Sequence, residues 1–260
     1  MNHPFPESLP VTWGDVPVTV VMPTYNEAAN LEWMADIVMR LPLPGLHLKI
    51  VDDSSPDGTG ALAEQLADKY NEFSPRPRMS VLHRTTKDGL GRAYTAGMLA
   101  ALDEGAQFVV QMDADGSHPA HVIPQMLGTA LATGAGFVVG SRYVDGGSLD
   151  EEWGKHRQLL SRFANRYART ILDTKIRDIT AGFNLWRAET LRDVDLRTLD
   201  SAGYSFQVEL KFLAARSGHS GVEIPIRFEE RTEGVSKMNL ATQIESALVP
   251  LRLRLRNRRG

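Results

Sequence analysis

The chain has 260 residues, 42% hydrophobic and 23% charged, with a formal net charge of -3 and no cysteine. That composition is ordinary for a globular protein. It excludes disulfides, thiolate metal sites and cysteine nucleophiles, fits a reducing compartment, and gives no global sign of nucleic-acid binding.

The N-terminal "MNHPFPESLP" lacks the basic start and apolar core of a secretory signal and reads as a loose, proline-rich arm. "VPVTVVMP" predicts a first strand ending at Pro23. In "NEAANLEWMADIVMRL", Leu31, Met34, Ile37, Val38 and Leu41 recur at helical spacing. "LHLKIVDD" predicts a second strand and "DGTGALAEQLADKYNEF" a second amphipathic helix. "RMSVLHR" and "GLGRAYTAGMLAALDEG" repeat the pair. "AQFVVQMD" is a fourth strand, "PAHVIPQMLGTALATG" a proline-started helical segment, and "GFVVGSRY" a fifth strand. Strands alternating with helices imply an α/β fold, a mostly parallel twisted sheet with helices on both faces.

The second half is less regular. "WGKHRQLLSRFANRYARTIL" predicts a long basic helix. "ITAGFNLWRAET" reads as a strand entering a short helix, and "FQVELKFLAARSG" as a helix. "GVEIPIRFEER" reads as a strand that Pro225 confines to an edge. From Met238 onward Ile244, Leu248, Leu251 and Leu255 recur every three or four residues. No repeat or clear linker interrupts the chain. The expected organisation is an arm over 1–16, one α/β domain over 17–237, and an amphipathic basic helix and tail over 238–260.

In an open α/β sheet the ligand crevice lies beyond the carboxyl ends of the strands. There this chain places Pro23, Tyr25 and Glu27, then Asp52 and Asp53, then Asp113 and Asp115, then Ser141 and Arg142. Two neighbouring carboxylates repel unless a cation lies between them. A hard divalent ion with oxygen ligands would suit Asp113 and Asp115 and could bridge phosphate oxygens. The plainer reading is that Asp115 and Gly116 make a turn. An EF-hand is excluded, because His118 and Pro124 stand where its loop needs glycine and glutamate. Without cysteine or an "HExxH" pattern, His118 and His121 read as helix-start residues rather than zinc ligands. "GLGRAY" lacks the third glycine of a dinucleotide fingerprint, Tyr94 standing in its place.

"VVMPTYNEAANL", "IVDDSSPDGT", "MDADGSHP", "VVGSRYVDGG", "ITAGFNLWR" and "RTEGVSKM" occur in this order from residue 18 to about 240. Together they resemble the polyprenol- or dolichyl-phosphate mannose synthases of glycosyltransferase family 2. The resemblance implies a GT-A fold and a metal-dependent inverting mannosyltransferase. Its donor would be GDP-mannose and its acceptor a polyprenyl monophosphate. It assigns Pro23, Tyr25, Glu27, Asp53, Asp113, Ala114 and Asp115 to the donor nucleotide. It assigns Asp113, Asp115 and Ser117 to Mg2+ or Mn2+, with Ser117 acting directly or through water. Arg142, Arg157, Ser161, Arg231 and Lys237 are assigned to the acceptor phosphate, and Asp115, Arg142 and Arg231 to the catalytic step. The alternatives are a lipid-phosphate glucosyltransferase using UDP-glucose and a non-catalytic nucleotide-sugar-binding module.

A phosphate monoester with a second pKa near ~6 is mostly dianionic at neutral pH, so such an acceptor needs positioning rather than a general base. The expectation is therefore cations facing the acceptor. Arg157 and Ser161 are four apart, on one helix face, and Arg231 and Lys237 flank the glycine-containing "TEGVS". Glu209 is the candidate base for a hydroxyl acceptor and is expected instead to be structural.

No apolar run approaches the ~20 residues that span a bilayer. The expected location is cytoplasmic, peripheral on the cytoplasmic face of a membrane. Two readings of residues 244–259 stay open. The apolar stripe lies in the lipid interface between arginines, or Leu248, Leu251 and Leu255 pack on the domain. A separate membrane protein could also supply the anchor. No nucleic-acid partner is expected.

Overall fold

The computed structural model describes residues 13, 15–150, 154–203, 205–229 and 240–256, with side chains at 155, 157 and 240–246 outside that description. β1 (Val18–Thr24), β2 (Leu46–Asp52), β3 (Met79–His83), β4 (Phe108–Gln111) and β5 (Phe137–Ser141) are the five expected strands. β1, β4 and β5 are buried along their whole length, as strands covered on both faces require. Between them run α1 (Ala28–Met39), α2 (Thr59–Asn71), α3 (Leu90–Asp103) and α4 (Ile123–Thr133).

The second half adds β6 (Ser148–Leu149), α5 (Lys155–Leu172), β7 (Asn184–Arg187) and α6 (Ala188–Val194). It closes with α7 (Phe206–Arg216), β8 (Gly221–Pro225), β9 (Arg227–Phe228) and α8 (Leu240–Arg256). Seven strands form one sheet in the order β3-β2-β1-β4-β7-β5-β8, and β6 pairs with β9 in a small ribbon. Every sheet pairing is parallel except those of β7, which runs antiparallel to both β4 and β5. The mostly parallel α/β class is therefore as expected, and β8, with Pro225 at its end, is an edge strand. The insertion of β7 between β4 and β5 is the feature that residue periodicity does not show. It brings the segment before Asn184 to the same sheet edge as the carboxyl ends of the parallel strands.

Two apolar layers sandwich the sheet. On one face Val20, Met22, Leu48, Ile50 and Val110 meet Leu31 and Met34 of α1, Leu66 of α2 and Met126 of α4. On the other, Val21, Val51, Val109 and Trp186 meet Met98 of α3, Leu172 of α5, Leu210 of α7 and Leu253 of α8. Trp13 lies against Gly128 of α4, its ring 2.7 Å from where a Cβ would stand. The remaining residues of the expected arm before Trp13 lie outside the described residues.

Gly97 sets how closely α3 approaches the sheet. A Cβ there would stand 2.5 Å from Val21 Cγ1 and 2.6 Å from Val51 Cγ2. Alanine in place of glycine would favour the helix by ~1 kcal/mol, whereas overpacking costs ~1–3 kcal/mol. Gly97→Ala is therefore expected to lower the unfolding free energy in urea by about 1 kcal/mol, and a stabilised variant would show that α3 backs away freely.

Candidate active site

The carboxyl ends of β1, β2 and β3 are laced into one wall. Thr24 Oγ1 donates to Asp52 Oδ1 at 3.3 Å, Asn26 N to Ser55 Oγ at 3.1 Å, and Glu27 N to Thr59 Oγ1 at 3.0 Å. Asn26 and Ser54 sit at φ 57°, a left-handed conformation that lets the chain turn tightly off each strand. Glu27 accepts from Asn30 Nδ2 at 3.0 Å. The Lys87 ammonium stands 3.4 Å from the centre of the Tyr25 ring, a cation–π contact that orients the ring. Asp53 is buried and ion-paired with Arg84, which also binds Asp88. Burial pushes the Asp53 carboxyl above its ordinary value, against the pull of Arg84.

β4 delivers the acidic loop. Asp113 is half-buried, and Tyr94 of α3 donates its hydroxyl to Asp113 Oδ1 at 2.5 Å. Asp113 N donates to His118 Nδ1 at 3.0 Å. Asp115, 7% exposed, accepts from Ser117 N at 3.1 Å and from Ser117 Oγ at 2.6 Å, both on Oδ1. Gly116 takes φ 80°, so the turn reading holds, and the turn fixes where the two acids stand. Hard carboxylate oxygens at a strand end are a donor set that fits Mg2+ or Mn2+. The Ser117 hydroxyl is committed to Asp115, which suits it to bracing that carboxylate. Among the described residues no group of three or more histidine or acidic side chains gathers as a metal cluster, so cation binding there would lean on water and ligand oxygens. His118 is buried, ring against ring with Phe183 at 5.2 Å, as expected of a structural histidine.

β5 delivers Arg142, which forks onto Asp178. Its Nε donates to Oδ2 at 2.8 Å and its Nη2 to Oδ1 at 2.7 Å, with Nη2 also reaching Thr180 Oγ1 at 2.9 Å. Bidentate geometry of this kind fixes a guanidinium in direction as well as place. Burial alone would lower the Arg142 pKa, but the Asp178 charge outweighs it and the net shift is upward. Burial likewise pushes Asp178 up, and Arg142 pulls it further down, so the carboxyl sits below its ordinary range. Backbone N–H groups of Arg177 and Asp178 donate to Glu223 at 2.6 and 2.8 Å, pinning the loop that carries Asp178. Tyr143 OH lies 2.8 Å from Ser161 Oγ, bringing α5 beside the Arg142 loop. The Phe228 ring joins the two halves of the site, 5.7 Å from the His118 ring and 5.4 Å from the Arg142 guanidinium.

The structure thus gathers Pro23, Tyr25, Glu27, Asp53, Asp113, Ala114, Asp115, Ser117 and Arg142 along one sheet edge, with Ser161 adjoining. Arg157 is one helical turn before Ser161 in α5, its side chain outside the described residues. Arg231 and Lys237 lie wholly outside them. Glu209 is fully buried and accepts from Asp200 N at 3.2 Å and Ser201 N at 2.8 Å. It is structural, as expected. Gly89 and Gly91, the two glycines present from the failed dinucleotide fingerprint, make room for the backbone of Ser201 and Ala202 instead. Sequence reasoning missed Arg84, Tyr94 and Asp178. Asp178, a lone acid just ahead of an apolar strand in "RDITAGF", carried the clearest signal.

Lys211 lies under this constellation, fully buried, with Nζ donating to Ala181 O at 2.5 Å and to Asn184 Oδ1 at 3.3 Å. Burial drives its pKa down to about 7, against the attraction of Asp178. A lysine depressed in the folded state binds fewer protons there than in the unfolded chain between that value and its ordinary 10.5. Its contribution to stability therefore rises with pH across that window, by up to about 1.4 kcal/mol per unit. Urea unfolding of the wild type and Lys211→Met from pH 7 to pH 10 should show the wild type gaining relative to the variant. Parallel curves would mean that Lys211 stays charged when folded.

Residues 19–195 match the model of glycosyl transferase family 2. The chain is 46% identical over 220 residues to the polyprenol monophosphomannose synthase of Mycolicibacterium smegmatis, covering 85% of this chain and 80% of that protein. It is 44% identical over 222 residues to the undecaprenyl-phosphate mannosyltransferase of Micrococcus luteus, covering 85% of this chain and 87% of that one. A mannosyltransferase from Pyrobaculum calidifontis, solved in complex with GDP-Man and Mn2+, shares the fold with a TM-score of 0.59 at 17% identity, over 98% of this chain and 67% of that chain. The motif order, the GT-A architecture and these likenesses agree: the chain belongs to glycosyltransferase family 2.

Proposed function

We propose that this protein transfers mannose from GDP-mannose to a polyprenyl monophosphate at a membrane surface. The products are the polyprenyl-phosphate sugar and GDP. Two relatives near 45% identity bear names of this activity over most of both chains. The observation that carries the reading is the pairing of an acidic loop with an immobilised arginine. Asp113 and Asp115 sit at the end of β4, Arg142 sits at the end of β5, and Phe228 spans between them.

Tyr25, Glu27 and Asp53 line the wall that would take the nucleoside, with Arg84 as a further member held on Asp53. Asp113 and Asp115 would hold a divalent cation, Mg2+ or Mn2+, which when bound supplies positive charge to the donor diphosphate. Tyr94 and Ser117 orient those two carboxylates. Arg142, Arg157, Ser161, Arg231 and Lys237 form the acceptor-phosphate side. A phosphate oxygen attacks the anomeric carbon, that carbon's bond to the diphosphate oxygen breaks, and GDP leaves with the electron pair. One displacement inverts the centre. No proton has to be removed, because the phosphate is already anionic. Glu209, occupied by two backbone N–H groups in the core, is accordingly not needed as a base.

Incubation with labelled GDP-mannose or UDP-glucose and a polyprenyl phosphate, followed by lipid extraction, tests donor and acceptor together; label entering lipid from UDP-glucose alone would replace mannose by glucose. Asp115→Ala is expected to reduce transfer by about a hundredfold or more, and chelation should abolish wild-type turnover until Mg2+ or Mn2+ is returned. Unchanged turnover in the variant would remove the cation from the account. Arg231→Ala should lower transfer strongly while GDP-mannose binding stays within about twofold. Weakened donor binding instead would place Arg231 on the nucleotide side.

A further inference from the structure

Gln207 and Glu209 both lie in the first turn of α7 and both are buried, yet their polar atoms fare differently. Glu209 is held by the N–H groups of Asp200 and Ser201. Gln207 is 9% exposed, and its amide hydrogen-bonds to nothing among the described residues. Neither amide atom is sealed from solvent. Leaving a nearly buried polar group unpaired costs stability, so an amide kept in that state points to a partner from outside the chain.

The open space beside it is the one over Gly182. A Cβ on that residue would stand 3.8 Å from Gln207 Nε2, 3.5 Å from His118 Nε2 and 3.3 Å from His118 Cε1. Gly182 is itself half-buried, so the spot is reached from solvent. It lies between the two halves of the site. On one side His118 belongs to the acidic loop, where its Nδ1 accepts from Asp113 N at 3.0 Å. On the other side Thr180, two residues before Gly182, accepts from the Arg142 guanidinium at 2.9 Å. α7 is fastened to the acidic half as well. Phe206, next to Gln207, stacks on the Tyr94 ring at 6.0 Å, and Tyr94 donates to Asp113.

We infer that Gln207 hydrogen-bonds a hydroxyl of the donor sugar, in the space that Gly182 leaves open, and so takes part in selecting that sugar. The inference rests on the proposed reaction, which sets the sugar between a diphosphate beside Asp113 and Asp115 and a phosphate beside Arg142. A carboxamide suits that place for two reasons. It offers both donor and acceptor, and a hydroxyl needs both. It is also uncharged, so it neither competes with the carboxylates for a cation nor draws the acceptor phosphate from Arg142; phosphates are gripped by charged donors. Gly182 is the complementary half, since a side chain there would enter the volume left for the sugar ring.

The test compares kcat/KM for GDP-mannose and for its 2-, 3-, 4- and 6-deoxy analogues, with a short-chain polyprenyl phosphate as acceptor. The wild type is set against Gln207→Met, which keeps the side chain's length without its hydrogen-bonding groups. At least one analogue should serve the wild type about tenfold or more less well than GDP-mannose, and the variant within about twofold of it. GDP binding and thermal midpoint should stay at the wild-type values. A variant that keeps the wild-type ranking of the analogues, or transfers mannose at the wild-type rate, overturns the assignment. Gly182→Ala is a second arm that leaves Gln207 in place. GDP-mannose turnover should fall by about tenfold or more with GDP affinity within about twofold, and full turnover would put the sugar elsewhere. Should the wild type transfer no mannose to any polyprenyl phosphate, the proposed function fails, and calorimetric affinities for the same donors decide Gln207 alone. Discrimination lost in Gln207→Met upholds the contact, and an unchanged ranking rejects it.

Discussion

The fork between Arg142 and Asp178 is the contact on which the site's geometry depends. A surface arginine would explore many rotamers and would lose that freedom on meeting an anion. Here the ordering is complete before any ligand arrives, since two guanidinium nitrogens and the backbone N–H of Arg142 already bind one buried carboxylate. A buried ion pair need not stabilise the fold, because desolvation offsets the attraction. Its value is directional: Asp178 is clamped by Glu223, Glu223 stands in β8, and the guanidinium therefore inherits its position from the sheet.

The reversed strand β7 is what makes this possible. Had the sheet been parallel throughout, the segment entering that position would have lain at the opposite edge, away from the strand ends that carry the acids. Running β7 antiparallel brings residues 178–183 to the carboxyl edge between β4 and β5. The aromatic bridge follows, with Phe183 stacked on His118 and Phe228 set between His118 and Arg142. Acidic and basic halves are thus held apart by apolar rings. That spacing would let a cation-bound diphosphate and an incoming phosphate occupy the same crevice, on the proposed reading, with the acidic loop held apart from the Arg142–Asp178 pair.

Much of this was legible in the residues. Apolar runs ending in Pro23, Asp52, Asp113 and Ser141 located the parallel strands and hence the edge, because strand burial and strand-end polarity are local properties. The direction and order of β7 were not legible, since a four-residue strand with two apolar residues at its centre reads the same in either sense. Asp178, Tyr94 and Arg84 were overlooked for a related reason. Each acts on a residue 19 to 36 positions away, and pairing across such distances is decided by topology. Glu209 was read correctly as structural, yet its partners, the backbone of Asp200 and Ser201, could not be named from spacing.

The α8 stripe shows the limit of periodicity from the other side. Ile244, Leu248, Leu251 and Leu255 announced an amphipathic helix, but among the described side chains the buried ones are Val249, Pro250 and Leu253, the last set between arginines in "LRLRLR". A helix needs only one apolar stripe to pack; a second one turned to solvent loses hydrophobic stabilisation unless something covers it. α5 presents the same surplus beside it, with Leu159, Leu160 and Phe163 exposed. Each helix thus buries one apolar set against the core, Val249 and Leu253 on α8 and Ala168 and Leu172 on α5, and leaves a second set exposed.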